Sequence, residues 1–324
     1  MYRTLHKLRK DRALDLFVSI KNFLKKQDQN PDDFFYIFPM GNYGEHTYIL
    51  GHLHSLRKRG RVCLVLNENK SWLAKFFPES FDYCVTLPDS TSDLYEELFE
   101  ISYLALGFPY VVWTDIFCNG RLNSELIRHG RLTISESYAF ALELPLRSEL
   151  KPLKIKKEAI TLGQDQKNYI LLMPDSTTVK KLDKDFWISL YRELEARSLN
   201  PILDDTFLNW NIMNIKSVRL VKDDLIKFFN ESCVALIGIR SGMLDLIGGM
   251  LTEDVTKRLI SIMPVDSDDY NPAGTGLNVA GISKYAGIFP CWGSKNIIDL
   301  EVDLRDRGYQ VVAAEKIIRS LCET

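Results

Sequence analysis

Short apolar runs, each broken by a turn and followed by a stretch with helical spacing, recur along this chain in two series. That alternation restricts the fold more than any other feature of the sequence. The first series reads as strands at Phe34–Phe38, Arg61–Leu66, Tyr83–Leu87 and Tyr110–Trp113, with helical stretches to about Arg59, over Ser71–Phe77 and over Leu94–Leu106. The second reads as strands at Tyr169–Met173, Pro201–Leu203, Val234–Ile239 and Leu259–Met263, with helices at Phe186–Arg197, Asp223–Phe229, Met243–Met250 and Ala313–Leu321. Strands separated by helices pair in parallel through right-handed crossovers. Between the two series, Leu150–Asn168 loses the pattern and reads as a linker. The expected architecture is α/β, with two doubly wound Rossmann-like domains at residues 1–155 and 165–324. Ligands of open α/β sheets sit at the carboxyl ends of the strands, so two such domains facing each other would enclose a cleft.

Composition narrows the function. A net charge of −2 gives no overall pull towards nucleic acid, so none is expected as a partner and an anion site has to be local. Cys63, Cys84, Cys118, Cys233, Cys291 and Cys322 lie far apart and form no Cys-x-x-Cys pair. That argues against a zinc ribbon or redox dithiol and fits reduced thiols in a cytoplasmic protein. No apolar run is long enough to span a bilayer, and the basic N-terminus lacks the form of a signal peptide. The helical stretch from about Thr4 to Lys26 combines an apolar side (Leu5, Leu8, Leu14, Phe17, Ile20, Leu24) with a basic one that includes Lys7, Arg12, Lys21 and Lys25. Two readings follow: peripheral contact of residues 1–27 with the inner membrane surface, or a solvated basic face whose apolar side packs on its own domain.

The sharpest junction is Val234–Met250, where the strand breaks at Arg240-Ser241-Gly242 and a helix begins at once. The start of a helix offers unpaired N–H groups and a positive dipole end to a phosphate. Ser241 can cap or donate, Gly242 lets a ligand approach the backbone, and Arg240 brings a forked cation. The same residues also suit a plain strand-to-helix turn with Arg240 paired to a carboxylate. After Met173 comes Pro174-Asp175-Ser176-Thr177-Thr178-Val179-Lys180-Lys181, whose hydroxyls and lysines suit a diphosphate or a hydrophilic surface loop. In the first series, the loop Gly41–His46 leaves its strand at the carboxyl end. Glu45 and His46 can each take a proton, and Gly41 and Gly44 permit a tight turn or a close approach. Glu45 can equally be a first-turn carboxylate that complements the helix dipole. Asp266–Asp269 concentrates carboxylates without EF-hand order, and His52 and His54 do not share a helix face, so no metal is expected.

Together these loops resemble the GT-B glycosyltransferases, and among them the heptosyltransferase-like group, glycosyltransferase family nine. In that group a Gly-Asp pair opens the acceptor domain, where Gly44-Glu45 stands here. A Pro-Gly-Ala-Ser-like loop followed by Lys-Arg is matched by Pro174-Asp175-Ser176 with Lys180-Lys181, and an Asp-Ser-Gly-Pro-x-His helix start by Arg240-Ser241-Gly242-Met243-Leu244-Asp245. The chain departs from the pattern at Glu45, at Arg240 (aspartate in the group), at Asp245 (histidine in the group), and in having no proline after Gly242. The resemblance implies inverting, metal-independent transfer of a sugar from a nucleotide sugar to a hydroxyl of a glycan or lipid-linked acceptor, with no cofactor. Glu45 would be the general base beside the acceptor-side Gly41, Gly44 and His46. Ser176, Lys180, Lys181, Arg240, Ser241 and Gly242 would hold the diphosphate, and Asp245 the donor's ribose or sugar. A sugar-nucleotide epimerase and a non-catalytic scaffold of the same fold are the alternatives.

Overall fold

The computed structural model describes residues 2–95, 97–98, 111–112, 126–127, 131–154, 168–176, 179, 181–206, 208, 210, 214–252, 256–265, 287–306 and 308–322. The chain divides into two compact units, Met1–Ile116 with Ser135–Lys154, and Phe117–Ile134 with Ile155–Thr324.

In the first unit, helix α1 (Tyr2–Lys26) precedes β1 (Phe34–Ile37), α2 (Tyr43–Arg57), β2 (Arg61–Asn67), β3 (Tyr83–Leu87), β4 (Val111–Val112) and α3 (Ile134–Ala141). The strands form a parallel sheet in the order β3-β2-β1-β4. Ala13, Phe17, Ile20 and Leu24 recur at helical spacing and are buried, so this side of α1 covers the sheet face formed by Tyr36, Phe38, Cys63, Val65 and Val85. The Phe17 and Tyr36 rings meet edge to face with centroids 4.8 Å apart, and the Tyr36 hydroxyl donates to the Pro31 carbonyl at 2.7 Å. The apolar side of α1 therefore packs on its own unit. Leu8, Leu14, Val18 and Phe23 stay exposed among the basic residues.

Two expectations change here. The helical stretch expected over Ser71–Phe77 is a 3-10 helix that begins earlier, Glu68–Phe76. The start of the expected linker is packed rather than leading away, because Lys151 N–H donates to the Gly51 carbonyl (2.9 Å) and Lys154 N–H to that of Phe76 (2.8 Å). Most of the helix expected over Leu94–Leu106 lies outside the described residues.

The second unit runs β5 (Tyr169–Met173), α4 (Lys184–Ala196), β6 (Asn200–Asp204), β7 (Ser217–Val218), α5 (Asp223–Ser232), β8 (Cys233–Ile239), α6 (Gly242–Met250), β9 (Arg258–Val265), α7 (Ile288–Trp292), β10 (Ile297–Asp303) and α8 (Tyr309–Cys322). Its six strands are parallel in the order β10-β9-β8-β5-β6-β7. From β5 the chain winds outward to β7, then restarts on the other side with β8. The order thus reverses between β5 and β8, which is where open α/β sheets bind ligands. Every residue of β5 is buried, and all of β8 except Val234, which the register shift at Tyr169/Ile170 pushes outward. Such continuous apolar runs are what a sheet covered on both faces requires. On one face Phe186, Trp187, Leu190 and Leu194 of α4 and Ala313, Ile317 and Ile318 of α8 complete the core.

Among the described residues, no helix is long and apolar enough to cross a membrane.

Candidate functional site

The β5/β8 switch point brings two of the loops together. Met173 and Gly238 are register partners at the ends of β5 and β8, so the Pro174–Ser176 loop and the Arg240–Gly242 turn leave the sheet side by side. The Ser176 hydroxyl, buried, donates to the Arg240 carbonyl at 2.9 Å and ties them, while Arg240 N–H donates to Ile262 of β9 at 2.8 Å. The turn is thus held from both neighbours before α6 begins.

Ser241 is the N-cap residue of α6, extended at φ −156° and ψ 162°, but its side chain makes no capping hydrogen bond. Its Oγ is shielded from solvent and has no hydrogen-bond partner. The first intrahelical bond runs from Asp245 N–H to the Ser241 carbonyl at 3.2 Å. The N–H groups of Gly242, Met243 and Leu244 precede it and are the ones a helix cannot satisfy by itself. An uncapped helix start with a spare hydroxyl can hold one face of an anion.

The described cations assigned to the diphosphate have carboxylates beside them, and for Arg240 this is the ion-paired alternative of the two readings. Arg240 is ion-paired with Asp245, their side chains only 10% and 6% exposed. Lys181 is ion-paired with Asp175 and is itself more than half exposed. Each has a carboxylate of the same unit beside it, and Asp245 is buried against Arg240. Lys180, like Thr177, Thr178 and the acidic stretch at Asp266–Asp269, lies outside the described residues.

In the first unit, the loop after β1 turns at Gly41, whose φ of +91° favours glycine. Glu45 is the third residue of α2, and its Oε2 accepts the Asn42 N–H at 2.8 Å, as a capping carboxylate does. Gly44 and His46 are buried in the first turn of α2 rather than open in a loop. His46 Nδ1 donates to the Asn42 carbonyl at 2.9 Å. Burial pushes the imidazole down to about 3, Lys70 adds to that and the Asn42 carbonyl opposes it, so His46 is neutral.

Two neighbours of this loop, Lys70 and Trp72, carried no signal in the sequence. Lys70, from the 3-10 helix after β2, donates through Nζ to the Gly41 carbonyl. Tyr43 and Trp72 meet edge to face at 5.6 Å, and Trp72 Nε1 donates to the Asn69 carbonyl at 3.1 Å.

His52 and His54 are both buried and serve packing. His52 lies 3.0 Å from Ser135 Oγ and 3.2 Å from Ser148 Oγ, while His54 reaches Glu149 at 3.3 Å. Among the described residues, no group of three or more His, Cys, Asp or Glu side chains is placed to hold a metal ion.

No family model matches the chain, and no curated protein does. Solved structures do. The ADP-heptose LPS heptosyltransferase II of E. coli aligns with a TM-score of 0.55 at 13% identity, covering 90% of this chain and 99% of that one. A glycosyl transferase family 9 protein of Veillonella parvula aligns with a TM-score of 0.54 at 13% identity over 89% and 95%. E. coli heptosyltransferase WaaC, solved with ADP, aligns with a TM-score of 0.50 at 11% identity over 89% and 99%. Identities this low speak for fold and not for chemistry. The fold of this chain is that of the heptosyltransferases, the GT-B fold.

Proposed function

We propose that this chain is a glycosyltransferase that moves a sugar from a nucleotide diphosphate, held by the second unit, to a hydroxyl of a glycan or lipid-linked acceptor held by the first. The observation that carries this reading is the meeting of the Ser176 loop with the uncapped start of α6 at the β5/β8 switch point, in a chain of GT-B fold. In the reaction, the acceptor oxygen forms a bond to the anomeric carbon as the bond from that carbon to the diphosphate oxygen breaks. The electron pair leaves with the diphosphate, and the acceptor's proton passes to Glu45. The Gly242, Met243 and Leu244 amides and the Ser241 hydroxyl meet the developing phosphate charge. Lys180 adds to this, while Arg240 and Lys181 contribute less because Asp245 and Asp175 offset them. Attack from the face opposite the diphosphate inverts the anomeric centre, and the reaction is proposed to run without a metal.

The exposed side of α1 fits an acceptor presented at a membrane surface. Leu8 (55% exposed), Leu14 (38%), Val18 (53%) and Phe23 (40%) stand among Lys7, Arg12, Lys25 and Lys26, a pattern suited to peripheral contact with anionic lipid. We place the protein in the cytoplasm on this reading. Co-sedimentation with phosphatidylglycerol vesicles but not phosphatidylcholine vesicles, lost in Leu14→Glu/Val18→Glu, is the expected result.

The deciding experiment is a thermal-shift titration against ADP, UDP, GDP, CDP and CMP, without and with a divalent metal. ADP comes first because the WaaC structure holds it. A ligand at about 100 times its Kd adds roughly 2.7 kcal/mol to stability, a shift of several degrees. A metal-independent shift with one nucleotide is the expected outcome, and none with any of them would favour a non-catalytic scaffold. Glu45→Gln should keep nucleotide binding and lose transfer. A sugar-nucleotide epimerase would instead turn over its nucleotide sugar with no acceptor present.

A further inference from the structure

Glu45 does not stand alone at the end of β1. Its side chain is folded back over the loop that precedes it: a Cβ added at Gly41 would lie 2.9 Å from Glu45 Cγ and 3.0 Å from Cδ, and Oε2 holds the Asn42 N–H. The other grip on this loop comes from the neighbouring strand. β2 pairs with β1 from Phe34↔Arg61 to Ile37↔Leu64, so the 3-10 helix that follows β2 emerges next to the loop that follows β1. From that helix the Lys70 ammonium reaches the Gly41 carbonyl. One short loop is therefore clasped by a carboxylate from its own helix and by a cation from the next crossover.

We propose that Lys70 is a positioning residue for Glu45, fixing the Gly41–Asn42 loop under the carboxylate and keeping that carboxylate ionised for its work as base. The inference rests on the transferase reading for Glu45's role, while the contact it describes can be tested by itself. The electrostatics agree with the geometry. Lys70 is only partly exposed; burial pushes its pKa down, while Glu45 and Asp89 push it back up. Asp89 opens the 3-10 helix after β3 (Asp89–Leu94), and its Oδ1 accepts the Asn69 N–H at 3.1 Å. His46, on the α2 side, is buried and neutral. Lys70 is thus the cation facing both carboxylates among these groups, and a cation within reach of a carboxylate favours its charged form. A base held this way is somewhat weaker but is deprotonated and aimed before the acceptor arrives.

The test needs no acceptor. The full chain is labelled with carboxyl-13C glutamate, and the Glu45 resonance is identified by its loss in Glu45→Gln. Its titration is then compared in wild type, Lys70→Met and Lys70→Arg. The expected result is a Glu45 midpoint about one pH unit higher in Lys70→Met, the low end of the range for a neighbouring opposite charge. Lys70→Arg, which keeps the cation and its donors, returns it to within a few tenths. An unchanged midpoint in Lys70→Met, or no rescue by Lys70→Arg, overturns the proposal. A purely structural lysine would lower the thermal midpoint and leave the titration where it was. Should Lys70→Met fail to fold, Lys70→Gln supplies the second neutral replacement, judged by the same midpoint. Failure of the reading it rests on would look different: Glu45→Gln would keep turnover if Glu45 is not the base, and no nucleotide would shift the melting temperature if the chain is no transferase, whatever Lys70 does to the carboxyl titration.

Discussion

The Arg240–Asp245 pair gives a quantitative check on the candidate site. Both side chains are at most 10% exposed, so each ion has lost most of its hydration and relies on the other. In such a place, removing one partner leaves a buried charge uncompensated, which costs about 3–5 kcal/mol. Asp245→Asn keeps the size of the side chain and strands the guanidinium, so it should lose roughly that much. Arg240→Met should lose less, about 2–4 kcal/mol, because Asp245 lies in the first turn of α6, where the dipole returns up to about 1 kcal/mol. The double replacement Arg240→Met/Asp245→Leu strands no charge. Its loss should fall below the sum of the singles by about 2–3 kcal/mol, within the range of coupling for residues in contact. Urea denaturation with a constant m-value reads all of these. Single effects that simply add, to within about 0.5 kcal/mol, would refute the buried pair and return Arg240 to the role of a free phosphate ligand.

Three further perturbations test the packing and chemistry around the two loops. Gly248→Ala drives a Cβ into Ile288 Cγ2 and places it 3.2 Å from Trp292 Cδ1, so it should push α6 from α7 and cost about 1–3 kcal/mol by thermal or urea denaturation. Gly41→Ala imposes a φ of +91° on a residue with a Cβ and crowds Glu45; the expected loss is about 1–3 kcal/mol, with nucleotide thermal shifts unchanged because the other unit is untouched. His52 is held neutral, its pKa pushed down to about 4 chiefly by burial, against about 6.5 in the unfolded chain. The unfolded state therefore takes up protons first, and stability falls as pH drops through 6.5 towards 4. By linkage this single group removes about 2 kcal/mol between pH 7.5 and pH 5, and His52→Gln should take away that share of the fall in a urea-midpoint profile while the share of His46 stays.

How much of the fold could be read in advance depended on how each element is buried. β5 and β8 are covered on both faces, so their sequences are unbroken apolar runs, and the strand, turn and helix at Arg240–Gly242 followed from them. β10 is an edge strand that places carboxylates at alternate positions, and the Asp299 carboxylate accepts the Ile288 and Phe289 N–H groups at the start of α7. Its Ile298, Leu300 and Val302 alternate with Asp299, Glu301 and Asp303, a weaker signal than an unbroken apolar run. α1 was legible as a helix, but its phase was not. Apolar residues occur on several sides of it, and spacing alone groups Leu8 and Leu14 with Phe17, Ile20 and Leu24 on one apolar side. The structure buries Ala13, Phe17, Ile20 and Leu24 and leaves Leu8 and Leu14 exposed, because contact with Tyr36 and its neighbours selects the inner face.

The candidate site shows the same limit at the level of charge. That the Ser176 loop and the Arg240 turn would lie at strand ends followed from the local pattern. That they would touch follows only from strand order, since β5 and β8 are far apart in the chain and adjacent in the sheet. The carboxylates that offset the cations are close in sequence: Asp175 precedes Lys181 in one loop, and Asp245 follows Arg240 across one turn. Neither pair has the i, i+4 spacing of one helix face, so helix-pair rules do not find them. A cation in a strand-end loop thus reads from sequence either as a phosphate ligand or as half of an ion pair, and the turn's own geometry supplies the carboxylate. On the proposed reading, with Arg240 and Lys181 already paired, a diphosphate is met by the α6 amides, the Ser241 hydroxyl and Lys180. Nucleotide affinity should accordingly depend on ionic strength less than in a site built on three unpaired cations.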